Sequence, residues 1–257
     1  VVLAHYAMLA EIKDFCEDNG WSILRYDTVS ANRELIMAAP GYIGPDGAVP
    51  AYVGVRTYQD VANDYYNLAV AGFTGYVSGN TWATQPGFLE CGVPAHNQRI
   101  DYWMTINDRR LAFALKVGTP VYESAYIGFA LPYATPRQYP YPLFVGGMLV
   151  GAAATRFSDT THASYFYGNR NNSRLRFVSG TWLAPRIWPY QNSELMAGGT
   201  SNYSMRPVST HYPLMRMVMN DASGNVFGEL DGVYAITGFD NVVENTLTVG
   251  GIEHVVI

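Results

Sequence analysis

The sequence predicts a mainly β protein, α+β only through one N-terminal helix, whose antiparallel sheets form a sandwich- or barrel-like body with long loops. Three observations predict it. Short runs rich in β-branched and aromatic residues recur along the whole chain. Helical spacing holds for several turns only at about residues 3–19. The 25 Gly and 14 Pro cut the remainder into strand-length pieces. At 257 residues the chain can bury a core without disulfide or metal staples, and it reads as one β-rich domain over 1–257 with a loop-rich subregion at 130–205.

The first elements follow from spacing. Met8, Ile12, Phe15 and Cys16 lie one helical turn apart, and Asn19-Gly20 supplies a left-handed stop. Strands are expected at 21–26, 34–37 and 52–58, divided by Pro40-Gly41 and by the turn Gly44-Pro45-Asp46-Gly47. Residues 101–106 and 111–117 flank Asn107-Asp108-Arg109-Arg110 and form a hairpin, because Asn and Asp tolerate the backbone angles of a short turn.

Between 130 and 142, Pro132, Pro136, Pro140 and Pro142 are interleaved with Tyr133, Tyr139 and Tyr141. The prolines remove backbone donors and forbid a central strand, which predicts an extended arm. Residues 158–205 are dense in Asn, Ser, Thr and Gly with weak periodicity and read as long loops. Order returns with strands at 214–219 and 233–237 and a turn at 221–225. Residues 246–249 pair through Gly250-Gly251 with 252–257, an antiparallel end to a sheet.

Composition bounds the function. Only 14% of residues are charged, against roughly a quarter in ordinary soluble domains. The 20 Tyr make up part of the difference, and Tyr suits subunit contacts because its ring packs while its hydroxyl finds a partner. A net charge of −5 argues against nucleic-acid binding, which needs a basic stripe. No run approaches the ~20 apolar residues of a membrane span. The longest, 143–154, is broken by Gly146, Gly147 and Gly151, so no membrane insertion is expected. No signal-peptide pattern opens the chain, which predicts synthesis in the cytoplasm. The chain begins without Met and stops inside a strand-like run, so further residues are expected at its ends. Cys16 and Cys91 read as two buried thiols.

His5, His96, His162, His211 and His254 show no zinc-ligand spacing, and no metal or cofactor is expected. His162, with Asp159 close by in a polar segment, is the one histidine worth naming, and a solvated loop histidine is the simpler reading. Neither a nucleophile elbow nor a phosphate-binding or dinucleotide loop occurs, so the chain is read as a non-enzyme with no catalytic residue. Asp60, Asp64, Glu90, Asp101 and Glu123 could supply a carboxylate pair for glycoside hydrolysis, with surface acids as the default. Tyr65-Tyr66-Asn67, and Tyr165-Phe166-Tyr167 with Asn169, Asn171 and Asn172, have the make-up of a sugar-stacking surface, and equally of core and interface rings.

Longer phrases carry a resemblance. Tyr52-Val53-Gly54-Val55-Arg56-Thr57-Tyr58, Asp60-Val61-Ala62-Asn63-Asp64-Tyr65-Tyr66-Asn67 and Gly128-Phe129-Ala130-Leu131-Pro132-Tyr133-Ala134 are similar to runs in uncharacterised virion proteins of tailed bacteriophages and prophages. The likeness continues through Gln138-Tyr139-Pro140-Tyr141-Pro142-Leu143 and Gly228-Glu229-Leu230-Asp231-Gly232-Val233-Tyr234, then Gly238-Phe239 and Glu244-Asn245, and covers most of the chain. It implies a virion location, in the tail or baseplate before the neck or capsid, and no catalytic residue.

The expected function is therefore a structural subunit of the virion that contacts other virion proteins and copies of itself as a homo-oligomer. Its interface is expected at Tyr133, Pro136, Tyr139, Pro140 and Tyr141, whose rings need a wall once proline has removed the ladder bonds. One alternative is a module at the tail tip that binds a host-surface glycan or receptor through Tyr165, Phe166, Tyr167 and Asn169. Others are a virion-associated cell-wall or capsule hydrolase and a neck or capsid structural protein.

Overall fold

Successive side chains of a strand point to opposite faces, so a strand that is apolar at every position must lie between two other layers. Leu111, Ala112, Phe113, Ala114 and Leu115 are all buried, and so are Ala125, Tyr126, Ile127 and Phe129. The computed structural model describes residues 1–44, 47–118, 121–133, 142–151, 156–158, 164–165, 172–177, 179–189, 214–236 and 241–257. In it those residues belong to the middle of three stacked antiparallel sheets.

The chain opens with β1 (Val2–Leu3), α1 (Ala4–Asp18), β2 (Ser22–Asp27), β3 (Glu34–Gly44), β4 (Gly47–Asp60), β5 (Tyr65–Phe73) and β6 (Leu89–Val93). Next come β7 (Arg99–Ile106), β8 (Arg110–Lys116), β9 (Tyr122–Phe129), β10 (Leu131–Pro132), β11 (Leu143–Gly146), β12 (Leu149–Val150) and β13 (Ser173–Arg176). The remaining strands are β14 (Trp182–Leu183), β15 (Arg186–Trp188), β16 (Met215–Asn220), β17 (Val226–Ala235), β18 (Thr246–Val249) and β19 (Ile252–Val255).

The outer six-stranded sheet runs β12-β6-β5-β4-β3-β2, and the middle seven-stranded sheet runs β1-β7-β8-β9-β11-β13-β14. Between them lies the main core, where Leu35, Met37, Val53 and Val55 share one cluster with Phe113, Leu115, Ile127 and Phe129. The apolar stripe of α1, Met8, Leu9, Ile12 and Cys16, enters the same cluster. The four-stranded sheet β10-β17-β16-β15 covers the other face of the middle sheet, packing Met217, Met219, Phe227 and Leu230 on Tyr126, Phe144 and Leu175. Each buried aliphatic side chain of this kind contributes about 1.5–3 kcal/mol. The arrangement is sandwich-like, and none of the sheets closes into the barrel that the sequence leaves open.

Most local expectations hold. The helix ends at Asp18, with the Trp21 amide donating to Cys16 O and the Gly20 amide to Glu17 O, both at 3.0 Å, around Gly20 at φ +82°. That pair of bonds is the αL stop expected from Asn19-Gly20. β7 and β8 pair from Asp101↔Lys116 to Ile106↔Leu111, the expected hairpin. Cys16 and Cys91 are free and buried, and burial pushes both thiols up to about 12.

Pro40-Gly41 does not divide two strands as expected. β3 continues through it, and the pairing with β4 slips between Ala39↔Ala51 and Tyr42↔Val49, leaving one extra residue on β3. Gly41 sits at φ +81°, where a Cβ would lie 1.8 Å from Val49 O, so a bulge with glycine replaces the break. Pro132 lies in a strand, but on the sheet edge, where its missing amide leaves no ladder bond unmade.

Candidate subunit-contact surface

The residues predicted to contact partners divide sharply. Tyr133 is 56% exposed, yet its backbone is tied to its own chain: its amide donates to Phe227 O at 3.0 Å and its hydroxyl to Glu229 Oε2 at 2.7 Å. Arg216 donates to the other oxygen of that carboxylate. At the far end of the arm, Pro142 O accepts from the Ala130 amide at 2.9 Å. Pro136, Tyr139, Pro140 and Tyr141 lie outside the described residues.

Tyr165 is not a surface ring. It is 4% exposed and packs edge-on against Phe144, 6.1 Å between centroids, in the core between the middle and four-stranded sheets. The burial that hides it also raises its phenol pKa. A glycan platform through Tyr165 is thereby corrected, because the ring fills the space beside Gly146, where a Cβ would meet it at 2.8 Å. Asn172 is likewise buried, and Phe166, Tyr167 and Asn169 lie outside the described residues, as does His162. In the other aromatic run, Asn67 is buried and the Tyr66 ring meets His5 edge-on at 5.4 Å.

Four of the five candidate carboxylates are tied to different partners, and the fifth is buried. Asp60 accepts from the Asn63 amide and side chain, Asp64 pairs with Arg156 at 3.4 Å, and Asp101 pairs with Arg99 at 3.0 Å. Glu90 accepts a two-point grip from Arg56 and the Trp82 indole N–H at 2.8 Å. Glu123 is fully buried between the two large sheets. No three His, Cys, Asp or Glu gather as metal ligands among the described residues. No helix among them is long and apolar enough to cross a membrane.

Exposed apolar surface collects instead at the C-terminal end. β18 and β19 pair with each other from Thr246↔Val255 to Val249↔Ile252 and join no other sheet, so they do not end a larger sheet as the sequence suggests. Gly250 and Gly251, at φ +61° and +82°, form the two-residue turn that matches strand twist. Val249 and Ile252, opposite each other beside this turn, are 40% and 64% exposed. At the base, Glu244 accepts from the Lys116 ammonium at 2.5 Å and from the Tyr122 hydroxyl at 2.6 Å. Those two bonds hold its carboxyl below the usual range. The His254 ring meets Tyr234 edge-on at 5.5 Å. The hairpin is fastened to the body at one end and bare at the other.

No protein-family model and no curated protein matches the chain. The site therefore rests on its own geometry. The exposed Val29, Ile43 and Val61 stand singly, in a bend, near the end of β3 and in a short 3-10 turn, as scattered apolar residues do on any surface. The hairpin and its flanks gather several of them, and the alternation in Thr246-Leu247-Thr248-Val249 and Ile252-Glu253-His254-Val255 is the sequence signal for it.

Proposed function

We propose that this chain is a structural, non-enzymatic subunit of a tailed-phage virion, placed in the tail or baseplate and working through contacts with other virion proteins and with copies of itself. The carrying observation is the C-terminal hairpin, an amphipathic two-stranded element whose apolar tip, Val249 and Ile252, is left exposed among the described residues. A hairpin of this size is marginal alone in water, and a covering partner stabilises it. Low charge and abundant Tyr support the same reading, as do the virion-like phrases. Tyr133, 56% exposed at the start of the Pro-Tyr segment, is a further ring open to a partner.

Mass spectrometry of purified particles tests the proposal. The protein is expected at a fixed, repeated copy number in the virion, and reconstruction of the particle is expected to place it between the tube and the fibres. Detection only in infected-cell lysate would sink the proposal.

A further inference from the structure

β18 and β19 present two unlike faces. Leu247, Val249, Ile252 and His254 lie on one, and Thr246, Thr248, Glu253 and Val255 on the other. The first face reaches the body at Tyr234, itself 41% exposed, through the contact with His254. Beside the hairpin, Val242, Val243 and Ile257 are 67%, 40% and 42% exposed. We propose that this surface is a two-fold contact between two copies of this chain, with Val249 and Ile252 of each packed against those of the other. The proposal rests on the reading of the chain as an assembly subunit and names its partner.

The exposed apolar area is of the order that one side of a two-fold contact needs. A standard interface buries about 800 Å² on each partner and is about 65% apolar in homodimers, so one side needs roughly 500 Å² of apolar surface. The transfer energy of an aliphatic side chain corresponds to about 60–120 Å², so the five aliphatic side chains, about half open, together with part of the roughly 150–250 Å² of Tyr234 offer on the order of 300 Å². Half-buried Leu247, on the same face, and Val256 border them and widen the patch.

Charge favours the same partner. A two-fold contact sets a surface against itself, so any net charge on it meets its own sign. Over residues 242–257 the ionisable side chains are Glu244, Glu253 and His254. Glu244 is engaged by Lys116 and Tyr122, and Glu253 projects from the face opposite Val249 and Ile252. His254 faces Tyr234. Within 242–257 the face of Val249 and Ile252 thus carries no carboxylate or fixed positive charge to repel a copy, and Arg216, across from Tyr234, is paired with Glu229.

Sedimentation equilibrium of the whole chain, together with cysteine cross-linking, tests the contact. Wild type is expected to dimerise with rising concentration, and the double variant Val249→Asp, Ile252→Asp to remain monomeric with an unchanged circular dichroism spectrum. Oxidation with copper phenanthroline is expected to link Ile252→Cys into a disulfide dimer and to leave Thr248→Cys, on the other face, unlinked. The native Cys16 and Cys91 are fully buried and do not compete. A wild type that sediments as a monomer throughout the micromolar range, or equal linking of both cysteine variants, overturns the contact. Neither result touches the presence of the protein in virions, on which the assembly reading stands or falls separately.

Discussion

Glu123 shows how far burial can reset a side chain. It is 0% exposed in β9 and shares its strand face with Ala125, Ile127 and Phe129, and desolvation pushes its carboxyl up to about 9. Between the ordinary carboxyl range near 4.5 and about 9, the folded chain holds a proton that the unfolded chain releases. Stability therefore falls as pH rises through that window, by up to about 1.4 kcal/mol per pH unit, and the loss is complete above pH 9. Glu123→Gln removes the proton, so its melting temperature relative to wild type is expected to climb from pH 5 to pH 9. Parallel pH profiles for the two proteins would show that the carboxyl is not buried neutral. The sequence reads Glu123 as one of several surface acids, although its alternation with Ala125, Ile127 and Phe129 already puts it on their face.

At the scale of the element, the segment 74–88 between β5 and β6 covers the outside of the six-stranded sheet. Trp82 pins it there, 2% exposed, edge-on to Phe73 at 5.4 Å and seated over Gly54, where a Cβ would strike its ring at 2.7 Å. The Glu90 carboxylate accepts from its indole, and Arg25 donates to Ser78 O and Asn80 O. Trp82→Ala should cost about 3–5 kcal/mol in urea unfolding. It should also expose the segment to chymotrypsin at Tyr76, read by peptide mapping. Resistance equal to wild type would mean that the polar ties alone hold it. Nothing local in the sequence says that one tryptophan of this stretch folds back over a glycine on β4.

For the whole molecule, the middle sheet gives side chains to two cores. Ile127 of β9 belongs to the core shared with the six-stranded sheet, and Phe144 of β11 to the core shared with the four-stranded sheet. Loss of either core strips one face of the same strands, so the three layers should unfold in one transition. Ile127→Ala is expected to lower stability by about 2–5 kcal/mol and Phe144→Ala by about 3–5 kcal/mol. Each should shift a single midpoint seen alike by far-ultraviolet circular dichroism and tryptophan fluorescence. Two separated transitions in the Phe144→Ala protein would show that the four-stranded layer unfolds independently.

Where a residue's task depends on its neighbours along the chain, the sequence alone determines it. The helix stop at Asn19-Gly20, the Asn107–Arg110 turn, the Gly250-Gly251 hairpin and the alternation that makes both faces of β8 and β9 apolar all come from backbone sterics and strand period. Tertiary structure decides which surface covers which face, because an apolar face looks the same in sequence whatever packs on it. It turns Pro40-Gly41 into a bulge, draws Tyr165 inward onto Phe144 and sets β18–β19 apart from every larger sheet. The physical reason is common to the three: each is set by what the rest of the fold places, or leaves unplaced, against the segment, whereas local propensity weighs only what lies within a few residues.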